Sequence, residues 1–187
     1  MKNKLRAFLV SLAVVGSFTL VTLWSEEIKA VFEKPLLITS AGQNAEVQIV
    51  AVLAKRAGLE YSLAKLATAA DLDNMKTLAL VLGTSLKGLG AAGLDMDKER
   101  DRVTALVAEA QKRNIPLLCL HLGGENRRGQ QTDELITAFL PLAKMAIVVK
   151  SGNNDGIFTR ICREKSIPLI EVEKTADALD PLQKAFR

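Results

Sequence analysis

From Pro35 onward, short unbroken apolar runs alternate with longer stretches in which apolar residues recur every three or four positions. A helix repeats its faces every 3.6 residues, whereas a strand covered on both sides reads as a continuous apolar run. LALVL, LLCLHL and AIVV are runs of that second kind. The pattern predicts strands at Leu36–Ser40, Tyr61–Leu66, Thr77–Gly83, Leu117–Leu122, Met145–Lys150 and Leu169–Val172. Helices are predicted between them. Ala45–Ala57 carries Val47, Val50, Ala51 and Ala54 on one face and stops at Gly58. Met96–Arg113 carries Val103, Leu106, Val107 and Ala110, with acids at its start and Asn114 and Pro116 as its stop. Thr132–Leu142, Gly156–Lys165 (opened by Asp155 as N-cap) and Ala176–Lys184 complete the set.

Strands alternating with helices at this spacing specify βα units around a parallel sheet. Right-handed crossovers turn them into a three-layer α/β sandwich with a mainly parallel sheet, flavodoxin-like or Rossmann-like. The expected strand order is 2-1-3-4-5 with a sixth strand at the edge. No repeat or low-complexity tract divides residues 31–187, so a single domain is expected there. About 157 residues suffice for a core without disulfides. Cys119 and Cys162 both fall on apolar faces, as buried small hydrophobes or as the two ends of a bridge.

The first 30 residues change the picture. Lys2, Lys4 and Arg6 precede an uncharged, mostly apolar stretch from Ala7 to Trp24, and Glu26 and Glu27 follow it. This is the charge order of an export signal, with the remainder facing outward. At 18 residues the stretch is long for a cleaved signal and short for a membrane span, so residues 1–30 read as a signal peptide cut after Ala30 or as a retained membrane anchor. The domain is expected to be extracytoplasmic, secreted or periplasmic, and membrane-attached only through residues 7–24 if they are kept. Without residues 1–30, 21 basic side chains face 19 acidic ones. That balance supplies no field for nucleic acid, and five remaining aromatics are too few for a base-stacking platform.

The polar chemistry collects after the strands. SAGQN follows the first, GTSLKGLGAAG the third, HLGGENRRG the fourth and KSGNNDG the fifth, and these four segments hold ten of the chain's 12 glycines. In a parallel sheet all four lie at the carboxyl edge, where ligands of α/β proteins bind. The residues expected to contact a ligand there are Ser40, Gly42, Gln43, Asn44, Thr84, Ser85, Lys87, His121, Gly123, Gly124, Arg127, Ser151 and Asn153. Backbone donors in small-residue loops, with Lys87 and Arg127, point to a small anionic molecule.

The glycines of GTSLKGLGAAG match G-x-G-x-x-G literally, but the match follows the third strand, is offset from it by TSLK, and lacks an acid at the end of the next strand. A dinucleotide site needs the opposite in each respect, so a mobile lid or close-approach loop is expected instead. SAGQN stands where flavodoxins hold the FMN phosphate, yet the later loops offer no aromatic to flank a flavin. No G-x-x-x-x-G-K-[ST] occurs, and no cofactor is expected. His121 is the chain's one histidine, either packed against backbone or acting as a general base, with Ser40, Ser151 and Asp155 as triad partners but no G-x-S-x-G elbow. One histidine and no loop cysteine speak against zinc.

LLITSAGQNAE, LVLGTSLKGLGAAG, LHLGGENRRG, VVKSGNNDG and IPLIEV together resemble an uncharacterised family of exported bacterial proteins, a domain of unknown function. The resemblance covers nearly all of residues 35–180 and implies an exported α/β domain without an assigned activity. The functional expectation is therefore an exported domain binding a small, anionic ligand. The alternatives are a hydrolase or transferase with His121 as base, or an envelope interaction module without a pocket.

Overall fold

The computed structural model of the protein describes residues 30–187; the segment read as signal or anchor lies outside the described residues. Six parallel strands, β1 (Leu36–Ala41), β2 (Tyr61–Leu63), β3 (Thr77–Leu82), β4 (Leu117–His121), β5 (Met145–Val149) and β6 (Leu169–Val172), form one sheet in the order β2-β1-β3-β4-β5-β6. The expected strand order is the observed one. Between them run helices α1 (Glu46–Arg56), α2 (Leu86–Ala91), α3 (Met96–Lys112), α4 (Gln130–Phe139) and α5 (Ile157–Lys165), and α6 (Leu179–Lys184) follows β6, with short 3-10 turns at several junctions.

Alternate strand residues feed two cores, which is why the strand runs show no polar positions. Leu78, Leu80, Leu82, Cys119 and Val148 face α3, α4 and α5 through Leu106, Ile136 and Phe158. Ala79, Val81, Leu120 and Ile147 face α1 and α6 through Val47, Val50 and Leu182. Three layers result. Both cysteines are free thiols in the first core; burial pushes Cys119 up strongly and Cys162 up to about 11. No helix among the described residues is long and apolar enough to cross a membrane.

Two expectations need correction. The glycine-rich stretch after β3 is no mobile loop: α2 forms inside it, with Ser85 Oγ accepting the Gly88 N–H at 3.1 Å as its N-cap. A good cap nucleates a helix that glycine propensity alone disfavours. The N-cap position of α5 is Gly156 and not Asp155; Asp155 Oδ1 accepts the Ile157 N–H at 3.3 Å and Asn153 Oδ1 the Phe158 N–H at 2.9 Å, while the Asp155 carboxylate also pairs with Arg128.

The two ends of the domain meet. Val31 and Phe32 donate their N–H groups to Ala185 O at 3.0 Å each, Arg187 N–H donates back to Phe32 O at 3.1 Å, and the Phe32 and Phe186 rings lie 5.5 Å apart. Close by along the chain, Pro35 O accepts from Lys76 N–H and Glu33 O from Thr77 Oγ1, which sets this clasp toward the amino ends of β1 and β3.

Candidate functional site

The opposite, carboxyl end of the sheet has its topological switch point between β1 and β3, because the chain leaves β1 toward β2 and returns on the other side to β3. There the β1 loop crosses onto the β3 loop: Gln43 and Thr84 form an isolated bridge, and Gly42 O accepts the Ser85 N–H at 2.8 Å. Gly42 takes φ +99°, and a Cβ on it would run into the Gly83 carbonyl, so only glycine lets the two loops touch. Gly88 of α2 packs as tightly on the Gln43 carbonyl.

The β1 loop hangs on a side chain outside the expected set. Glu99, fully buried near the start of α3, accepts from Gly42 N–H at 2.8 Å and from Gln43 Nε2 at 3.0 Å. Arg102 grips the same carboxylate with Nε and Nη2 at 2.9 Å each and also donates to Ala67 O at 2.9 Å and Ser40 O at 2.6 Å. Glu99 stands four and seven residues before Val103 and Leu106, on the buried face of α3. That spacing was the available signal; acids in a first helical turn ordinarily serve the helix dipole in solvent.

Ser40 Oγ accepts the Asn44 N–H at 2.9 Å. Asn44 donates both Nδ2 hydrogens, to Val81 O at 2.8 Å and Gly83 O at 2.9 Å. This fixes the amide's orientation, since a flipped amide would set its oxygen against two carbonyls. Thr84 N–H donates to Thr132 Oγ1 at 2.9 Å. Glu46, in the first turn of α1, accepts from Arg127 Nε at 2.8 Å through Oε1. Three side-chain atoms here are buried without a hydrogen-bond partner: Asn44 Oδ1, Glu46 Oε2 and Thr84 Oγ1. Asn44 and Glu46 lie in the segment after β1 and Thr84 in the segment after β3, next to Gly83, whose missing Cβ would lie 3.5 Å from Asn44 Nδ2 and 3.7 Å from Arg127 Cβ.

His121 occupies the next strand end, fully buried and 5.3 Å from the Phe158 ring. Nδ1 faces Leu82 O at 3.0 Å and Nε2 faces Gly124 O at 3.1 Å. Burial holds its pKa below the ordinary value, against the pull of the two carbonyls. With no solvent exposure and both ring nitrogens turned onto backbone carbonyls, of which a neutral ring bonds only one, neither nitrogen is open to a substrate, and neither Ser40, Ser151 nor Asp155 bonds to it. The triad arrangement is absent from the described residues. Gly124 and Gly152 are small for local reasons: a Cβ on Gly124 would lie 2.5 Å from Ser151 Oγ, and one on Gly152 2.5 Å from the imidazole Cδ2.

The expected residues thus converge on one rim, but many hold each other. Asn153 caps α5 and donates Nδ2 to Thr159 Oγ1 at 2.7 Å and Glu171 Oε1 at 2.9 Å. The positive charge set aside for an anion is paired internally as well. Arg127 meets Glu46, Lys150 meets Glu173 at 3.0 Å, and Arg128 meets Asp133 and Asp155 at 2.8 Å each. The Arg128 guanidinium holds the Asp155 carboxyl down to about 2. Lys87 and Ser151 remain exposed. Among the described residues no three His, Cys, Asp or Glu side chains form a metal-binding group. A depression of about 500 Å³ lies at the other end of the sheet, lined by Leu72, Asp73, Asn74, Met75, Lys76, Arg113 and Ile115. Arg113 pairs there with Asp73 at 2.8 Å, and none of the buried unpartnered atoms belongs to this lining.

Among solved structures the chain is similar to a protein placed in the lipolytic G-D-S-L family from Desulfitobacterium hafniense DCB-2, at 16% identity over 73% of this chain and 75% of that one, TM-score 0.35. It is also similar to AlinE4, an SGNH-hydrolase family esterase, at 15% identity over 77% of each chain, TM-score 0.30. Likeness at this level assigns no activity. A search of curated proteins finds no match. The model of a family described as a domain of unknown function, DUF6305, matches residues 33–186.

Proposed function

For a chain that belongs to this family of unknown function, we propose a small-ligand-binding role, with the ligand seated at the switch point between β1 and β3. One observation carries the reading: the buried side-chain atoms without partners, Asn44 Oδ1, Glu46 Oε2 and Thr84 Oγ1, all fall at that point. Native proteins pair nearly all their buried polar atoms, and exceptions mark strain, an ordered water or a guest. Two of the three are acceptors only, and the third is a hydroxyl that donates or accepts. The complement is a small polar molecule presenting N–H or O–H donors, with Ser85, Lys87 and Ser151 at its outer side. Internal pairing of Arg127, Arg128 and Lys150 moves the ligand class away from the anion that loop composition alone favoured.

The test is a thermal-shift panel on the full-length protein with small amines, polyols, carboxylates and phosphates, read beside Thr84→Val. A binder at this point shows a saturable rise in Tm with the donor-bearing classes, growing with RT ln(1 + [L]/Kd), and Thr84→Val reduces it. No shift with any class, and no small molecule retained in native mass spectrometry, would abandon the reading for an interaction module without a pocket.

A further inference from the structure

The His121 ring lies between two carbonyls of unequal freedom. Nδ1 faces Leu82 O at 3.0 Å, at the end of β3, and Nε2 faces Gly124 O at 3.1 Å, in the 3-10 turn Gly124–Arg127 that follows its own strand. An imidazolium donates to both; a neutral ring donates to one and turns a lone pair toward the other. The observed arrangement therefore suits the cation, while full burial and the Arg128 guanidinium oppose the charge and Glu46 of α1 favours it. Arg128 stands over Phe158 of α5 and pairs with Asp133 and Asp155, Lys150 of the packed turn Lys150–Asn153 pairs with Glu173, Glu125 on the ring's own turn is exposed, and β3 carries no charged residue. Leu82 O is set by a buried central strand paired to β1 and β4. Gly124 O belongs to a glycine at φ +60°, for which a change of backbone angle costs little. Turning over the peptide between Gly124 and Glu125 takes that carbonyl off the ring and brings the Glu125 N–H, one of the donors a helical turn leaves free at its start, round to a bare Nε2.

The geometry points to a proton-operated latch: His121 keeps its Nδ1 proton on Leu82 O, and gain or loss of the Nε2 proton decides whether the Gly124–Glu125 peptide presents its carbonyl or its N–H to the ring. Acid closes the latch and fixes the turn; the neutral ring lets Gly124 O go. The turn carries Arg127, held on Glu46, and leads into Arg128, held on Gly152 O and Asp155, so the proton sets how firmly this part of the rim is tied down. The latch is independent of what binds at the rim. Acidification then acts in two opposite directions. The domain as a whole loses stability, because burial leaves the unfolded chain the better proton acceptor, while the turn gains order. A histidine that is only packed in place gives the first effect without the second.

The experiment is an NMR titration of the isotope-labelled full-length protein from about pH 8 to about pH 4.5, reading both ring nitrogens, the Gly124 carbonyl carbon and the amides of Glu125 and Arg128. Above 6.5 the expected ring carries its proton on Nδ1 and none on Nε2. As Nε2 gains its proton, the Gly124 and Glu125 signals move along the same curve. Exchange of the Arg128 N–H, which closes the turn on Glu125 O at 3.0 Å, slows by about tenfold or more after correction for its intrinsic pH dependence, the worth of one hydrogen bond from a charged donor. His121→Asn removes the coupled curve. A neutral ring with its proton on Nε2, turn signals that stay flat while the ring titrates, or a ring that stays neutral down to acid unfolding overturns the proposal. So does a turn curve that survives in His121→Asn, since it then belongs to the carboxylates. Should that variant fail to fold, the coincidence of the ring and turn curves in the wild type decides alone.

Discussion

Replacing Arg102 by Leu tests how the rim is held. In the native protein the Glu99 carboxylate is fully buried and its charge is balanced by the guanidinium through two bonds of 2.9 Å. The substitution removes these bonds and the donations to Ala67 O and Ser40 O, and leaves the carboxylate with only Gly42 N–H and Gln43 Nε2. Stranding one partner of a buried pair costs about 3–5 kcal/mol. That is a large part of the roughly 5–15 kcal/mol that holds a typical domain. For a domain of this size each kcal/mol moves Tm by about 2–4 °C, so the expected fall is about 6–20 °C. Urea unfolding should show a lower midpoint with an unchanged slope. Arg102→Leu/Glu99→Leu should cost less than the sum of the two single changes, because no charge is then stranded, although Gly42 N–H and Ser40 O still lose their partners. Hydrogen exchange at Gly42 should accelerate in the single variant. A change within about 1 kcal/mol at constant slope would refute the reasoning, because it would mean that water reaches Glu99.

Two further outcomes follow from the same geometry. Gly88→Ala and Gly90→Ala, two residues apart in α2, should move stability in opposite directions: the first drives a methyl into the Gln43 carbonyl, while the second meets nothing within 4 Å and gains helix propensity of about 0.5–1 kcal/mol; matched chemical denaturation of both variants decides it, and a stabilising Gly88→Ala would be contrary. For His121, burial keeps the folded ring's proton affinity below its ordinary value of 6.5, so the unfolded chain binds the proton more readily. Stability should then fall as pH drops through 6.5 and level off once the folded ring is protonated, a limb that His121→Asn should flatten. As the chain has one histidine, its lone imidazole NMR signal reads the same titration directly, and a midpoint above 6.5 would contradict it.

The sheet was legible because each strand is covered on both faces, so LALVL and AIVV carry no polar interruption to mislead the period. The second strand was overlong, as Leu66 and Lys65 are exposed past the last pairing of Ile38 with Leu63. Helix α2 was illegible because its glycines argue against a helix while the Ser85 cap and the seat on Gln43 argue for it, and the seat is a tertiary contact. Small and polar residues at the strand ends did gather on one rim, as the parallel order required. What composition alone does not resolve is whether Asn44, Asn153 or Arg127 serves a guest or its own neighbours. Asn153 caps a helix and Asn44 divides, its nitrogen bound to two carbonyls and its oxygen bound to none. Only pairing in three dimensions separates these roles.

The clasp of Phe32 with Phe186 brings the two chain ends of the domain to one corner, toward the far end of the sheet from Gly83 and Thr84. For the bench, fluorophores or fusion partners joined at either end would stay clear of the rim, and splicing the ends together offers a route to circular permutants opened in any other loop.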